Sequence, residues 1–199
     1  MRDKRRRSIF VDGVYTFSVS EEELFEHRLA EGDEVSPERL EALIAATDLR
    51  RAKDAVYRLL SLRAYSEAEL RAKLRGKGIA VEIIERALGD FRSTGVVDDR
   101  QYAESFVRDR MALRPAGRKR LQWELRAKGV DRQVVEETLA DVGEETEIPL
   151  ALDVAQRRCE RLRGEEPEAR RRKLALFLQR RGFAYETINK VLDKVLPPE

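Results

Sequence analysis

The chain has 199 residues, of which 39% are charged, 42% are apolar and 7% are aromatic. This composition excludes wholesale disorder and favours a helix-rich protein with small cores and wide solvated faces. The single cysteine excludes an internal disulfide, and the 40 basic and 38 acidic residues leave a net charge of only +2, so the distribution of charge is more informative than its total.

The first predicted element is a β-hairpin. Two β-rich runs within residues 8–19 flank Asp12-Gly13, a pair that favours a type I′ turn because both central residues take positive φ. A lone hairpin is marginal in water, so we expect it to pack on the helices that follow. A short helix over residues 21–30 ends at Gly32.

Residues 20–48 are mostly acidic, and a second helix begins within them, with Ser36 as N-cap and Pro37 as its first residue. In contrast, residues 110–132 and 157–181 are basic. Such a separation of charge can orient a protein on a polyanion or a charged filament.

From residue 49 onward the chain repeats itself three times. Each set has internal spacings of 4, 4 and 10 residues, and the sets lie 51 and 53 residues apart. The three sets are Leu70-Leu74-Gly78-Leu88, Leu121-Leu125-Gly129-Leu139 and Leu174-Leu178-Gly182-Leu192. A repeat of this length predicts an array of small units that stabilise one another.

Each unit is predicted to hold three short helices, A, B and C. In the first, helix A covers about residues 49–62, and a capping box from Ser66 to Glu69 starts helix B. In the second, Asp98 caps helix A. In the third, residues 143–148 form a polar connector before a helix A at about 150–162. In every unit the repeat glycine ends helix B.

The predicted fold is therefore mainly α, a tandem array of three three-helix units, elongated and curved, with a small N-terminal β-hairpin. The predicted domains are an N-terminal extension over residues 1–48 and repeats over 49–96, 97–146 and 147–199.

No catalytic constellation emerges, and we expect neither an enzyme nor a metal site. His27 is the only histidine, which excludes a multi-histidine metal site and favours an ordinary surface or packing role. Cys159 falls on an apolar helix stripe with Ala155 and Leu162, so we expect a buried structural thiol. No phosphate-binding glycine loop is present.

Basic clusters are the main functional feature. Isolated cations are explained by solvated helix faces with ion pairs, but four adjacent ones at 170–173 repel one another unless an anion is near. We therefore expect contacts to nucleic acid or to an acidic protein surface. The candidate residues are Arg110, Arg114, Arg118, Lys119, Arg126, Arg170, Arg171, Arg172, Lys173, Arg180 and Arg181.

Trp123 lies between Leu121 and Leu125, off their stripe, and its repeat equivalents are Ala72 and Leu176. We expect it to make a core contact or a contact between repeats. The alternative is a role in stacking on an exposed base.

Three segments resemble the RecX family of bacterial regulators of the RecA recombinase. Residues 63–74 (RAYSEAELRAKL) are similar to its first-repeat signature, residues 95–103 (GVVDDRQYA) to its second, and residues 181–188 (RGFAYETI) to its third, with Ala184 where serine is expected. The hairpin and residues 29–33 resemble the N-terminal extension of some members.

The resemblance implies tandem three-helix units that bind along the groove of the RecA–single-stranded DNA filament. It also implies inhibition of recombination, ATP hydrolysis and co-protease activity, without a cofactor. We expect a cytoplasmic monomer with no membrane partner, whose partner is the RecA filament and whose cations meet acidic RecA surface, DNA phosphates or both. The alternatives are a stand-alone DNA-binding protein with helix-turn-helix-like units and an inert scaffold.

Overall fold

The computed structural model describes residues 6–197, so residues 1–5 and 198–199 lie outside the described range. The elements in chain order are β1 (Arg6–Val11), β2 (Val14–Ser20), α1 (Glu21–Glu26), α2 (Pro37–Leu60), α3 (Glu67–Arg75), α4 (Val81–Ser93), α5 (Asp99–Leu113), α6 (Arg118–Ala127), α7 (Arg132–Thr138), α8 (Glu144–Glu160), α9 (Pro167–Arg180) and α10 (Tyr185–Val195).

The predicted hairpin is confirmed. β1 and β2 pair antiparallel, and the turn residues Asp12 and Gly13 have φ of 48° and 81°. The hairpin is fastened to α1, because Arg7 donates to the Glu21 carboxylate at 2.6 Å. Ser20 starts α1 as N-cap, and its capping box is completed by Glu23.

The three predicted three-helix repeats are also confirmed. Repeat 1 consists of α2, α3 and α4, repeat 2 of α5, α6 and α7, and repeat 3 of α8, α9 and α10. The repeated leucines of helix B form the centre of each repeat, and they are fully buried. These side chains are Leu70, Leu74, Leu121, Leu125, Leu174 and Leu178. Gly78, Gly129 and Gly182 end helix B with φ of 76°, 78° and 83°.

Three predicted boundaries are wrong. α2 is one helix from Pro37 to Leu60, because residues 38–60 contain neither glycine nor proline. α1 ends at Glu26, and Arg28 two residues later adopts φ 48°. α8 begins at Glu144, inside the predicted connector, because its first-turn acids favour a helix N-terminus.

The described residues form two compact units. The first takes the described residues up to Arg63 together with Leu70–Thr94, and its core joins α2 to α4. The second takes Ala64–Glu69 and the described residues from Gly95 onward, so it contains repeats 2 and 3 and the start of α3. The predicted limit at 48/49 falls inside α2.

Candidate partner-binding surface

In the second unit, helix B of repeat 3 ends against the start of helix B of repeat 2. We call this contact, in which Arg181-Gly182 pack against Gly117–Arg120, the second joint, because it joins repeat 2 to repeat 3. Here the Gly117 amide donates to the Arg181 carbonyl at 2.9 Å, and the Lys119 amide donates to the Gly182 carbonyl at 3.3 Å. A Cβ added to Gly182 would lie 2.3 Å from the backbone nitrogen of Arg120. Glycine is therefore required here by contact as well as by its positive φ.

The end of α6 meets the start of α3 in the same way. At this first joint (Lys128-Gly129 against Ser66–Glu69), the Ser66 hydroxyl donates to the Lys128 carbonyl at 2.6 Å. Ser66 also caps α3 with Glu69, as its sequence predicts. A Cβ on Gly129 would come within 2.3 Å of the Ala68 Cβ. The two joints thus repeat one packing arrangement.

A carboxylate from the following helix A caps helix B at both joints. Asp99 accepts from the Glu67 amide at 2.8 Å, and Glu147 accepts from the Arg118 amide at 2.7 Å. Glu147 is buried, and it also accepts from the Ala184 amide and the Thr187 hydroxyl, each at 3.1 Å. Glu147 is not among the residues predicted from the sequence, because it lies in the polar run 143–148, which resembles a connector.

Two of the candidate arginines lie inside the second joint. Arg118 donates to the Val142 carbonyl at 3.3 Å and to that of Leu139, so it holds the end of helix C in repeat 2. Arg181 donates to the Pro115 carbonyl at 2.7 Å. Burial lowers the pKa of Arg181, and the nearby charges of Arg110 and Arg157 lower it further.

Three more candidates bind partners within the same chain. Arg110 binds Glu124 through two nitrogens, at 2.8 and 3.0 Å. Arg171 donates to Asp193 at 2.6 Å and to the Leu196 carbonyl at 3.1 Å. Lys173 forms an ion pair with Glu165. These three side chains, together with Arg118 and Arg181, make five candidates whose structural contacts account for their positions.

The ion pairs of Glu124 outweigh the effect of its burial on its pKa. Burial alone would raise this pKa, but hydrogen bonds from Arg110 and Arg120, together with their charges, lower it below its ordinary value. Only 13% of the Glu124 side chain is exposed. Its two arginines, Arg110 on α5 and Arg120 on α6, are therefore held in fixed positions.

Other candidate cations lie on the surface of the second unit. Among residues 6–197, no ion pair or hydrogen bond to another side chain engages the side chains of Arg114, Lys119, Arg126, Arg172 and Arg180, and all five residues are exposed. The last candidate, Arg170, is half-buried, and its Nε has no hydrogen-bond partner among the described residues.

Four of the exposed cations share one surface with two large apolar side chains. Positions three and four apart occupy the same face of a helix, opposite the buried leucines. We call this surface the outer stripe; it consists of Lys119, Trp123 and Arg126 on α6 and of Arg172, Leu176 and Arg180 on α9. The second joint makes the two halves neighbours, because it places the end of α9 against Lys119.

The expected packing role of Trp123 is wrong. The residue is 59% exposed, because it lies about 200° around α6 from Leu121, at roughly 100° per residue. The Arg120 guanidinium lies 4.5 Å from its ring centroid and covers part of the ring. Its equivalent in repeat 3, Leu176, is 45% exposed.

Other residues singled out by the sequence have modest surroundings. His27 is half-buried and lines a shallow cavity of about 610 Å³ beside α2. Cys159 is half-buried rather than buried, because it packs at the edge of the repeat 3 core. Within residues 6–197, no three metal-binding side chains are grouped, and no helix has the length and hydrophobicity needed to cross a membrane.

Family models match the chain along most of its length. The models described as RecX first, second and third three-helix domains match residues 52–91, 98–139 and 145–192. The Regulatory protein RecX N-terminal domain matches residues 1–36. These matches coincide with the hairpin and the three repeats.

Individual relatives agree with the family models. Regulatory protein RecX of Prosthecochloris aestuarii is 34% identical over 75% of this chain and 97% of its own. That of Clostridium beijerinckii is 28% identical over 98% of this chain and 92% of its own. A crystal structure of regulatory protein RecX superposes with a TM-score of 0.75 at 26% identity, covering 97% of this chain and 95% of its own.

Proposed function

Because this chain belongs to the RecX family of regulatory proteins, we propose that it binds the RecA–single-stranded DNA filament in its groove and negatively modulates RecA. The activities lowered are recombination, ATP hydrolysis and co-protease function. The protein acts by binding, without a cofactor, as a cytoplasmic regulator. The filament is its partner, and DNA phosphates are reached directly by some of its cations.

The observation that supports this proposal is the outer stripe with its unneutralised cations. Four positive charges are exposed in one surface, and none has an ion-pair partner within residues 6–197. Like charges close together repel one another, and this repulsion raises the free energy of the unbound protein. An anionic partner relieves the repulsion. Because contacts of this kind are solvent-exposed, binding weakens as the salt concentration rises.

The structure also indicates which of the candidate cations to test. Arg118, Arg171 and Arg181 hold backbone carbonyls, so replacing them would disturb folding as well as binding. Lys119 and Arg172 occupy equivalent exposed positions on α6 and α9. Substitutions at these two positions change the charge of the surface and remove no described ion pair or hydrogen bond.

The test is ATP hydrolysis by a bacterial RecA on single-stranded DNA, with increasing amounts of this protein. We expect wild type to stop hydrolysis at sub-stoichiometric amounts. The double variant Lys119→Glu/Arg172→Glu should need at least about tenfold more protein, because each charge reversal removes a favourable contact and adds a repulsive one. Unchanged hydrolysis at stoichiometric wild-type protein would refute the proposal.

The second candidate function, a stand-alone DNA-binding protein, is favoured by the same exposed cations and by the three-helix repeats. Gel-shift measurements separate the two functions. A DNA reader would bind naked duplex tightly and with sequence preference. The filament regulator should bind free DNA weakly, and an inert scaffold would show neither effect.

A further inference from the structure

Two large apolar side chains occupy equivalent, solvent-exposed positions in repeats 2 and 3. Trp123 is 59% exposed and Leu176 is 45% exposed, and each is flanked on its own helix face by cations of the outer stripe. Neither contributes to a buried core. Large apolar groups within a charged rim are typical of protein–protein interfaces, where tryptophan and arginine dominate binding energy.

Resting on the proposed function, we infer that the outer stripe docks on an acidic protein surface of the filament, with Trp123 and Leu176 as its apolar anchors. The inference goes beyond a general attraction of cations to the filament, because it assigns the contact to two side chains without charge. It also assigns the stripe to the protein of the filament and not to its DNA.

Charge complementarity determines the chemistry of the partner surface. Lys119 and Arg126 flank Trp123 on α6, while Arg172 and Arg180 flank Leu176 on α9. None of these four cations has an ion-pair partner among residues 6–197. The matching surface therefore presents carboxylates around apolar contact points, so that the exposed charges are paired when water is excluded.

Two features favour protein over single-stranded nucleic acid as the occupant. A base-binding platform needs open aromatic faces, but the Arg120 guanidinium already lies 4.5 Å from the Trp123 ring centroid. The equivalent side chain in repeat 3 is Leu176, which has no π-face on which a base could stack. Burial of apolar area against a protein, by contrast, can be supplied by leucine as well as by tryptophan.

The test compares binding of Trp123→Ala, Leu176→Ala and wild type to two targets, the assembled RecA filament and the naked single-stranded DNA on which it forms. Tyr185→Ala is the control, since Tyr185 is 71% exposed on α10 and lies off the stripe. Circular dichroism should show all three variants folded, because none of these side chains is buried.

We expect Trp123→Ala to weaken binding to the filament by roughly tenfold or more and Leu176→Ala to weaken it by a smaller factor. Binding to naked DNA should not change, and Tyr185→Ala should behave as wild type. Filament binding by Trp123→Ala equal to wild type would overturn the inference, as would an equal loss on naked DNA. A wild-type chain that binds the filament without slowing ATP hydrolysis would refute the inhibitory function alone.

Discussion

The second joint and the outer stripe draw on the same basic runs of sequence but use them differently. In the joint, Arg118 and Arg181 point inward and hold carbonyl groups of neighbouring segments. In the stripe, Lys119 and Arg180, each adjacent in sequence to one of these arginines, are exposed and have no described ion-pair partner. Adjacent cations therefore have different surroundings, and we propose that they have separate roles, one in stability and one in binding.

The same difference between inner and exposed side chains allows a run of four cations at residues 170–173. Helical geometry turns successive side chains by about 100°, so neighbours in sequence face different surroundings. Arg171 reaches the end of α10, Lys173 reaches Glu165, and Arg172 remains exposed. The repulsion expected within the run is thus relieved by internal partners for two of its members.

The largest predicted effect is the loss of stability when a glycine in the second joint is replaced, compared with a glycine outside it. Gly182→Ala should destabilise the second unit by about 3 kcal/mol or more, because it adds overpacking against the backbone to the strain of a positive φ. Gly78→Ala is the matched control, with the same backbone conformation and nothing within 4 Å of the added Cβ. It should cost only about 1 kcal/mol. Urea unfolding measures both, and equal costs would contradict the close packing of the joint.

The next effect concerns the buried carboxylate that bridges repeats 2 and 3. Glu147→Ala should destabilise the second unit by about 2–3 kcal/mol, because it leaves the Arg118 and Ala184 amides and the Thr187 hydroxyl without their acceptor. The control is Glu145→Ala, which replaces an exposed acid in the same helical turn. It should lower the free energy of unfolding by less than about 0.5 kcal/mol. Urea unfolding again provides the measurement, and similar costs for the two variants would exclude the bridging role.

A smaller effect depends on pH. The pKa of Glu124 is lower in the folded protein, so its contribution to stability is present at neutral pH and is lost as the pH falls below its ordinary pKa of 4.5. Glu124→Gln should therefore cost about 1–2 kcal/mol at pH 7, and the difference from wild type should shrink towards pH 3. Glu136→Gln removes only an exposed pair with Arg132 and should change stability by less than about 0.5 kcal/mol. A pH-independent cost for Glu124→Gln would argue against the charged pair.

Local signals in the sequence were sufficient for the elements that depend on neighbouring residues. The Asp12-Gly13 turn, the Ser66 cap and the three helix-ending glycines follow from local backbone chemistry, and all are confirmed. The limits of α1, α2 and α8 differ from the predicted ones. In α8 the acidic start resembles a polar connector, and the hydrogen-bond partners of Glu147 are distant in the sequence.

The site could be predicted only in part, because composition identifies basic runs but not the direction of each side chain. Trp123 illustrates the difficulty. Its spacing from Leu121 and Leu125 already places it away from the buried face, yet its size suggested burial. Likewise, serine was expected at position 184, but the amide of Ala184 is bound by Glu147 from another helix.

The most direct test of separate inner and outer roles uses the adjacent residues Arg171 and Arg172. Each is replaced by alanine, and the protein needed for half-inhibition of RecA ATP hydrolysis is measured alongside urea unfolding. Arg171→Ala should lose about 1 kcal/mol of stability, because the end of α10 loses its donor. Arg172→Ala should unfold as wild type does but inhibit less well. Full inhibition by Arg172→Ala, or a loss of stability equal to that of Arg171→Ala, would contradict the account.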